Sequence, residues 1–307
     1  MSHATTGERG EPAAGPTVNA LSIDVEEYFH VSAFADRIHP SSWEQYPSRI
    51  EPATDKVLEL LSERNTRATF FLLGWVAERH PTMVRAIAAA GHEIASHGYR
   101  HTHVHQQTPA EFRLDVKRTK DVLEDIAGVP VLGYRAASFS IDERSPWAFD
   151  ILEDAGYRYS SSCYPIRHDH FGSPDAPRFP STAGASATLL EIPISTVRLL
   201  GRNLPCGGGG YFRLTPYAMS RWALRQVNGR DARSCVFYFH TWEVDPGQPR
   251  VSGVRLKSRA RHYLNLGRME ARLQRLLRDF RWNRIDAVFL GDEHGGAKAT
   301  GTWATSA

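Results

Sequence analysis

Cysteine is scarce in this sequence: three in 307 residues, Cys163, Cys206 and Cys235, with no paired spacing. That excludes a disulfide framework and fits a reducing compartment, each thiol reading as core filler. Long apolar runs are missing too. No stretch approaches the roughly 18 apolar residues of a membrane span. The first apolar segment, NALSIDV, lacks a basic flank and is broken by Asp24, unlike a secretory leader. A cytoplasmic protein is the expectation. No internal repeat is present and no nucleic-acid reading motif accompanies the charge, so nucleic acid is not an expected partner.

What is present is an apolar content of 41%, enough for a large core at this length. Residues 1–16 and 292–307 are rich in Gly, Ala, Thr and Pro without periodicity and read as disordered tails on one domain over 17–291. Inside it, short apolar runs alternate with amphipathic stretches, the rhythm of an α/β fold with parallel strands. Strands are expected at 18–25, 68–74, 92–97, 131–136, 157–162, 189–195, 234–240 and 285–290. Helices are expected near 53–64, 81–90, 109–127, 145–155, 216–228 and 258–281. The sharpest helix start is Thr108-Pro109-Ala110-Glu111, an N-cap threonine, a first-turn proline and a capping-box glutamate. Residues 163–188 form the longest irregular part, rich in Pro, Ser and Asp, as functional or mobile loops are.

The stretch EIASHGYRHTHVH, 93–105, holds four of the chain's 14 histidines within nine residues. Histidine titrates nearest neutral pH and is the commonest metal ligand, so the cluster points to a metal or proton-transfer site. Asp24, Glu26, His97, Arg135 and His240 all fall at or just past the ends of expected strands, the face on which barrel active sites assemble. His97 and His101, four apart, can meet one ion if Gly98-Tyr99-Arg100 makes a helical turn. Glu26 would then complete a set of two histidines and one carboxylate with open positions. Asp24 would stay off the ion as a base for a bound water, and His240 would protonate a leaving nitrogen. These are parts for hydrolysing an amide. Other readings of the same residues are a strand over HTHVH with a His-x-His metal pair, a solvated histidine loop without an ion, an acidic strand end at 24–27 and an ordinary surface arginine at 135.

SIDVEEYFHVSAF (22–34), ATFFLLGWVAERHP (68–81), GHEIASHGYRH (91–101), GYRAASFSI (133–141) and FYFHTWEVDP (237–246) resemble, in order, the motifs of the polysaccharide deacetylases, which share the NodB homology domain. The likeness is greatest to the subgroup associated with exopolysaccharide loci and PEP-CTERM/exosortase systems. RHDHFGSPDAPRFP (167–180), GGGYFRLTP (208–216) and the arginine-rich segment 261–282 resemble that subgroup's C-terminal extension, which would occupy about 245–291. The resemblance covers about 18–290. It implies a distorted (β/α)7 barrel and metal-dependent removal of N-acetyl groups from amino sugars of a polysaccharide or its lipid-linked precursor. By position, Asp24 matches the catalytic base and His240 the general acid. Arg135 matches the arginine that orients the base, and Glu26, His97 and His101 match the metal ligands. Ser138 falls where a backbone N–H serves as oxyanion donor. Tyr134 and Trp242 are carried over as substrate-binding positions. The ion implied is one divalent metal, zinc by default, with cobalt, iron or nickel also suited to such ligands.

Two departures stand out. Ser160 occupies the position where the family often has a carboxylate that orients the acid histidine, and a serine cannot stabilise an imidazolium by charge. Another carboxylate, such as Glu243, is then needed. RAAS at 135–138 replaces the more usual RAPS, so Ala137 leaves the loop carrying Ser138 less fixed than proline would. Two other readings follow from these parts: an amide hydrolase for a small or cyclic amide, which a narrow cleft would indicate, and a glycan-binding relative that has lost turnover, which Ser160 suggests.

Residues 250–284 carry eleven Lys or Arg and two acids, a local net of +9 against +3 for the chain. With Leu273, Leu276, Leu277 and Phe280 at helical spacing, this reads as a helix with a buried face and a basic one. The basic face is either simply solvated or a surface for anionic glycan, lipid-linked phosphate or an anionic membrane leaflet. Gly207 to Gly210 lacks the lysine and serine of a phosphate loop and reads as a tight turn at the cleft rim. The expected partner is an N-acetylated glycan. An oligomer is compatible with the sequence.

Overall fold

The run VNALSIDV forms strand β1 (Val18–Val25), buried everywhere except its first residue, as a strand covered on both faces must be. A computed structural model describes residues 17–168 and 172–291. The two expected tails lie outside the described residues.

Further strands are β2 (Thr69–Leu72), β3 (Glu93–Ser96), β4 (Gly133–Tyr134), β5 (Tyr159–Ser160), β6 (Ser181–Ala183), β7 (Leu189–Glu191), β8 (Thr196–Leu199), β9 (Arg202–Pro205), β10 (Val236–His240) and β11 (Arg281–Asn283). Seven of them, in the order β10-β1-β2-β3-β4-β5-β7, run parallel in one curled sheet. The two ends of this sheet are bridged by an irregular segment rather than a strand pair. Ser195 N donates to Val236 O at 3.3 Å, Tyr238 N donates to Gly207 O at 2.7 Å, and Gly208 pairs with Tyr238. The result is the distorted seven-stranded α/β barrel that the sequence implied.

Helices α1 (Ile50–Ser62), α2 (Gly74–Arg79), α3 (Pro81–Ala89), α4 (Pro109–Ala127), α5 (Ala148–Asp154), α6 (Gly209–Leu214), α7 (Tyr217–Gly229), α8 (Leu256–Tyr263), α9 (Met269–Asp279) and α10 (Ile285–Phe289) complete the fold. The capping box at Thr108 and Glu111 is present. None of the helices in the described residues is long and apolar enough to cross a membrane.

The two-residue period of the strands sorts their side chains. Leu21, Ile23 and Val25 join the large core beneath the helices with Phe70, Leu72, Ile94, Phe237 and Phe239. The alternate set, Ala20, Phe71, Ala95, Val236 and Tyr238, packs inside the barrel. The same parity turns Asp24, His97 and His240 towards the lumen at its upper end.

Several expectations are corrected. Residues 285–290 are a helix, because the first N–H groups of α10 find acceptors at the barrel floor. Ile285 N donates to Thr69 Oγ1 at 2.8 Å and Asp286 N to Glu93 Oε2 at 3.2 Å. A short apolar run does not by itself distinguish strand from helix. The expected helix 258–281 is two helices, α8 and α9, parted at Asn265, which takes a left-handed conformation (φ 58°). Residues 196–205 form a hairpin, β8–β9, that the sequence reading missed. Gly209 and Gly210 open helix α6 instead of making a rim turn, with Gly208 at its N-cap.

Nor is the basic segment one surface. Arg272 hydrogen-bonds the carbonyls of Arg213 and Thr215 at 3.0 Å each, Arg275 lies over the Tyr217 ring and Arg284 pairs with Asp286. Leu273 and Leu277 meet Val57, Leu60 and Leu61 of α1, each buried leucine contributing about 1.5–3 kcal/mol.

Candidate active site

The C-terminal ends of β1, β3, β4 and β10 deliver the expected ionisable groups to one cavity of about 810 Å³. His97 follows β3 directly. Its Nδ1 lies 2.8 Å from the Arg135 carbonyl, which can only accept, so Nδ1 carries the hydrogen and Nε2 is left as a lone pair. That lone pair faces Glu26 Oε1 at 2.9 Å, and His101 Nε2 lies 3.1 Å from the same oxygen. A carboxylate oxygen and a histidine lone pair thus face each other in a buried place with His101 Nε2 beside them, and a proton or a cation between them makes this favourable. Burial alone would raise the Glu26 carboxyl, but the neighbouring His101 and His97 outweigh it and hold it well below the usual range. The ligand atoms of Glu26, His97 and His101 all lie within 4.8 Å of one another, a span suited to one ion with bonds of about 2.0–2.2 Å.

The loop between the two histidines is not the helical turn that their spacing suggested. Gly98 (φ 73°) and His101 (φ 54°) both take left-handed conformations and fold the ring of His101 back over Glu26. A non-glycine residue held there is strained, and such strain gathers at functional sites. His103 and His105 do not join the cluster. His103 Nε2 meets Ser32 Oγ at 3.1 Å, and His105 Nδ1 lies 3.1 Å from Arg144 Nη2. Residues 104–106 form a short 3-10 turn, not a strand.

Asp24 stands near the end of β1, two residues before Glu26, which follows the strand. Its Oδ1 accepts from Arg135 Nη1 at 2.6 Å, and its Oδ2 lies 3.9 Å from His240 Nε2. Arg135 is wholly buried, donates to the Ser161 carbonyl and hydroxyl, and lies 4.0 Å over the Phe71 ring. Bonded through all three of its nitrogens, Arg135 fixes the Asp24 carboxylate in place. Across the gap, His240 presents Nε2 to the cavity while Nδ1 meets Glu243 Oε1 at 2.9 Å. Burial would lower the His240 pKa, but the Glu243 hydrogen bond and the charges of Glu26, Glu243 and Asp24 raise it to about 9. A cation at Glu26 would offset that residue's share.

Ser160 does not orient His240: its hydroxyl donates to Ser162 Oγ at 2.8 Å. The carboxylate comes instead from Glu243, one turn beyond the histidine. Arg213, which the sequence reading missed, completes this arm. It is buried, its Nε donates to Glu243 Oε2 at 2.5 Å, and its Nη atoms take the carbonyls of Arg261, His262 and Leu264. Those are carbonyls that the end of α8 leaves unsatisfied. Gly209 permits the approach, because a Cβ there would lie 2.3 Å from Glu243 Oε1.

Ser138 lines the cavity in a left-handed conformation (φ 51°), with its hydroxyl 2.7 Å from Ser32 Oγ. Trp242 lines it too, stacked between His240 and His262, and its Nε1 has no hydrogen-bond partner among the described residues. Tyr134 is a correction. It is buried against Phe112 and Tyr157, behind the cavity wall, because the parity that turns Arg135 inward turns its neighbour out.

Residues 41–160 match the family model of the polysaccharide deacetylases, and residues 161–290 match a domain of unknown function, DUF3473. A peptidoglycan-N-acetylglucosamine deacetylase of Bacillus cereus is 40% identical over 75 residues, 24% of this chain and 27% of its own length. A chitooligosaccharide deacetylase of Sinorhizobium fredii is 40% identical over 102 residues, 32% of this chain and 44% of its own length. The matches thus span less than half the length of these curated relatives. A solved structure from Mycobacterium smegmatis, provisionally described as a polysaccharide deacetylase, aligns over 90% of this chain and 89% of its own at 24% identity, with a TM-score of 0.54, a likeness of fold. His97, His101 and Arg135 lie in the first matched region; Arg213, His240 and Glu243 lie in the second. The chain therefore carries a polysaccharide deacetylase domain, continued by a DUF3473 region that supplies Arg213, His240 and Glu243 of the candidate site, while Asp24 and Glu26 precede both matched regions.

Proposed function

We propose that this protein is a metal-dependent N-deacetylase acting on amino sugars of a polysaccharide or its lipid-linked precursor, in exopolysaccharide biosynthesis. The observation that carries this reading is the opposition of Asp24 Oδ2 and His240 Nε2 across 3.9 Å beside the Glu26, His97 and His101 cluster. Glu26, His97 and His101 would hold one divalent ion, zinc by ligand type, with cobalt, iron or nickel equally accommodated. When bound, the ion supplies a polarised carbonyl and a more acidic water.

The remaining work falls to the protein's own groups. Asp24, fixed by Arg135, takes a proton from the attacking water, whose oxygen bonds to the acetyl carbonyl carbon. His240, held protonated by Glu243, gives its Nε2 proton to the sugar nitrogen as the carbon–nitrogen bond breaks. Acetate and a free amine result. Ser138 and Trp242 line the space where the carbonyl oxygen and the sugar would lie.

The cavity volume speaks against a reading limited to a small cyclic amide, because it is in the range of about 300–1,000 Å³ that encloses ligands larger than one sugar ring. Glu243 in the role left open by Ser160 speaks against lost turnover. The test is acetate release from N-acetylated glucosamine oligomers by wild type and Asp24→Asn. Release that disappears in the variant supports the reading; no release at any divalent metal refutes it.

A further inference from the structure

The hairpin β8–β9 breaks two local rules at one residue. Its register pairs Leu199 with Arg202, so Leu200 and Gly201 make the loop. Both are left-handed, with φ 48° and 76°. A two-residue loop with positive φ at both positions is a type I′ turn, which favours Asn, Asp or Gly at the first of them. Leu200 stands there instead, and its side chain is 93% exposed. A leucine in this place costs the fold on both counts, and residues that break local rules without a folding gain mark functional sites.

Leu200 is not isolated. Val197 lies opposite Leu204 in the hairpin, and Leu199 follows two residues on, so these three share one face. Val197 is buried in the core, whereas Leu199 and Leu204 are exposed. Strand β8 packs against α7. On α7, Tyr217 and Arg221 turn towards α9, where both meet Asp279. Met219 and Trp222, both exposed, lie away from that side round the helix, towards β8. Two elements thus present large apolar side chains to solvent on one side of the molecule, and none of these residues lines the cavity.

The charge around them is of one sign. Residues 192–230 contain six arginines and no Lys, Asp or Glu. Arg213 and Arg221 are paired with Glu243 and Asp279. Arg198, Arg202, Arg225 and Arg230 are exposed and make no ion pair among the described residues. That pattern selects the occupant. A second copy of the chain docked face to face would set these arginines against their own equivalents. An anionic lipid surface offers phosphates to the arginines, an apolar layer to the leucines and the boundary that tryptophan favours.

We propose that the tip of the β8–β9 hairpin and the adjoining side of α7 dock the protein on an anionic lipid bilayer. Leu199, Leu200 and Trp222 enter the headgroup boundary, and Arg198, Arg202 and Arg225 meet lipid phosphates. The contact is peripheral, and it does not depend on the reaction at the cavity.

The test is co-sedimentation of the full chain with vesicles of phosphatidylcholine alone and of phosphatidylcholine mixed with phosphatidylglycerol. Wild type is expected to bind the mixed vesicles about tenfold more tightly or better, an advantage that shrinks as salt rises. Arg198→Gln/Arg202→Gln is expected to lose about tenfold or more in affinity for the mixed vesicles. Leu200→Asn supplies the residue that the turn prefers, so it is expected to melt no lower than wild type while binding about tenfold more weakly. Leu114→Asn, at an exposed leucine on α4, is expected to bind as wild type does. No binding to the mixed vesicles, equal binding to both kinds, or binding that survives both the arginine pair and Leu200→Asn overturns the proposal. An equal loss in Leu114→Asn overturns it as well. A dimer in sedimentation velocity that dissociates in Leu200→Asn overturns it in favour of a second copy on the same surface.

Discussion

Glu243 Oε1 lies 2.9 Å from His240 Nδ1 and 3.1 Å from the His240 amide, so one buried carboxylate fixes both the ring and the backbone of the candidate acid. Burial would raise the Glu243 pKa, but Arg213 and His240 lower it to about 2, so the carboxylate is ionised throughout the working range. Its charge is what keeps His240 protonated. Because the His240 pKa is raised, activity that needs the imidazolium is present at neutral pH and lost as pH rises through about 9, or below that when a cation offsets Glu26. Glu243→Gln is expected to lower kcat at neutral pH by about 10²-fold and move the alkaline limb down by about one pH unit or more. A pH profile of kcat checks this; an unmoved limb contradicts it.

Asp24 touches Arg135 and faces His240, and it stands outside the Glu26, His97 and His101 set. Asp24→Asn is therefore expected to retain the metal and lose about 10²- to 10⁴-fold in kcat. Elemental analysis beside steady-state kinetics reads both quantities. Loss of the ion in this variant would place Asp24 among the ligands instead.

Arg213 balances a buried carboxylate and caps α8 at once. Arg213→Met leaves Glu243 without its cation and is expected to cost about 3–5 kcal/mol of stability by denaturant unfolding. Arg213→Lys keeps the charge but not the fork, and should recover only part of the loss. A melting profile indistinguishable from wild type in Arg213→Met would show the pair to be idle.

The floor of the barrel holds a different titrating group. Glu93 is buried among Thr69, Tyr159 and the start of α10, and burial followed by the nearby Asp286 charge raises its pKa from 4.5 to about 8. Between those values the unfolded chain has released this proton while the folded one retains it, so stability falls as pH rises through that window. Glu93→Gln removes the dependence. Its stability relative to wild type is expected to improve steadily from pH 5 to pH 8 in denaturant titrations; a constant difference would show that Glu93 is ionised in the fold.

The sequence announced much of this because the information was local. β1 reads as one buried run, and its two-residue period alone puts Asp24 inside the barrel while Ile23 and Val25 face the helices. The Thr108 box gave the start of α4 to the residue. Glu26, His97 and His101 fall in two recognisable motifs, and the structure brings them within one ligand sphere. What was hidden depends on distant partners. Nothing near residue 213 reveals that its guanidinium meets a carboxylate 30 residues on and the end of a helix almost 50 residues on. Residues 285–290 are as apolar as a strand, and the acceptors that meet the first N–H groups of their helix, Thr69 and Glu93, are distant in sequence. The loop that joins His97 to His101 is not helical because Gly98 and His101 are both left-handed, and its contacts, Tyr99 N to Asp115 and His101 to Glu26, are to residues distant in sequence.

The most direct test of the account is acetate release from N-acetylated glucosamine oligomers as a function of bound divalent ion, in wild type and His97→Ala, with metal content measured on the same samples. The account predicts one ion per chain, acetate release that follows occupancy through chelation and reconstitution, and loss of both in the variant. Acetate release that persists after chelation, or full occupancy with no acetate released, would contradict it.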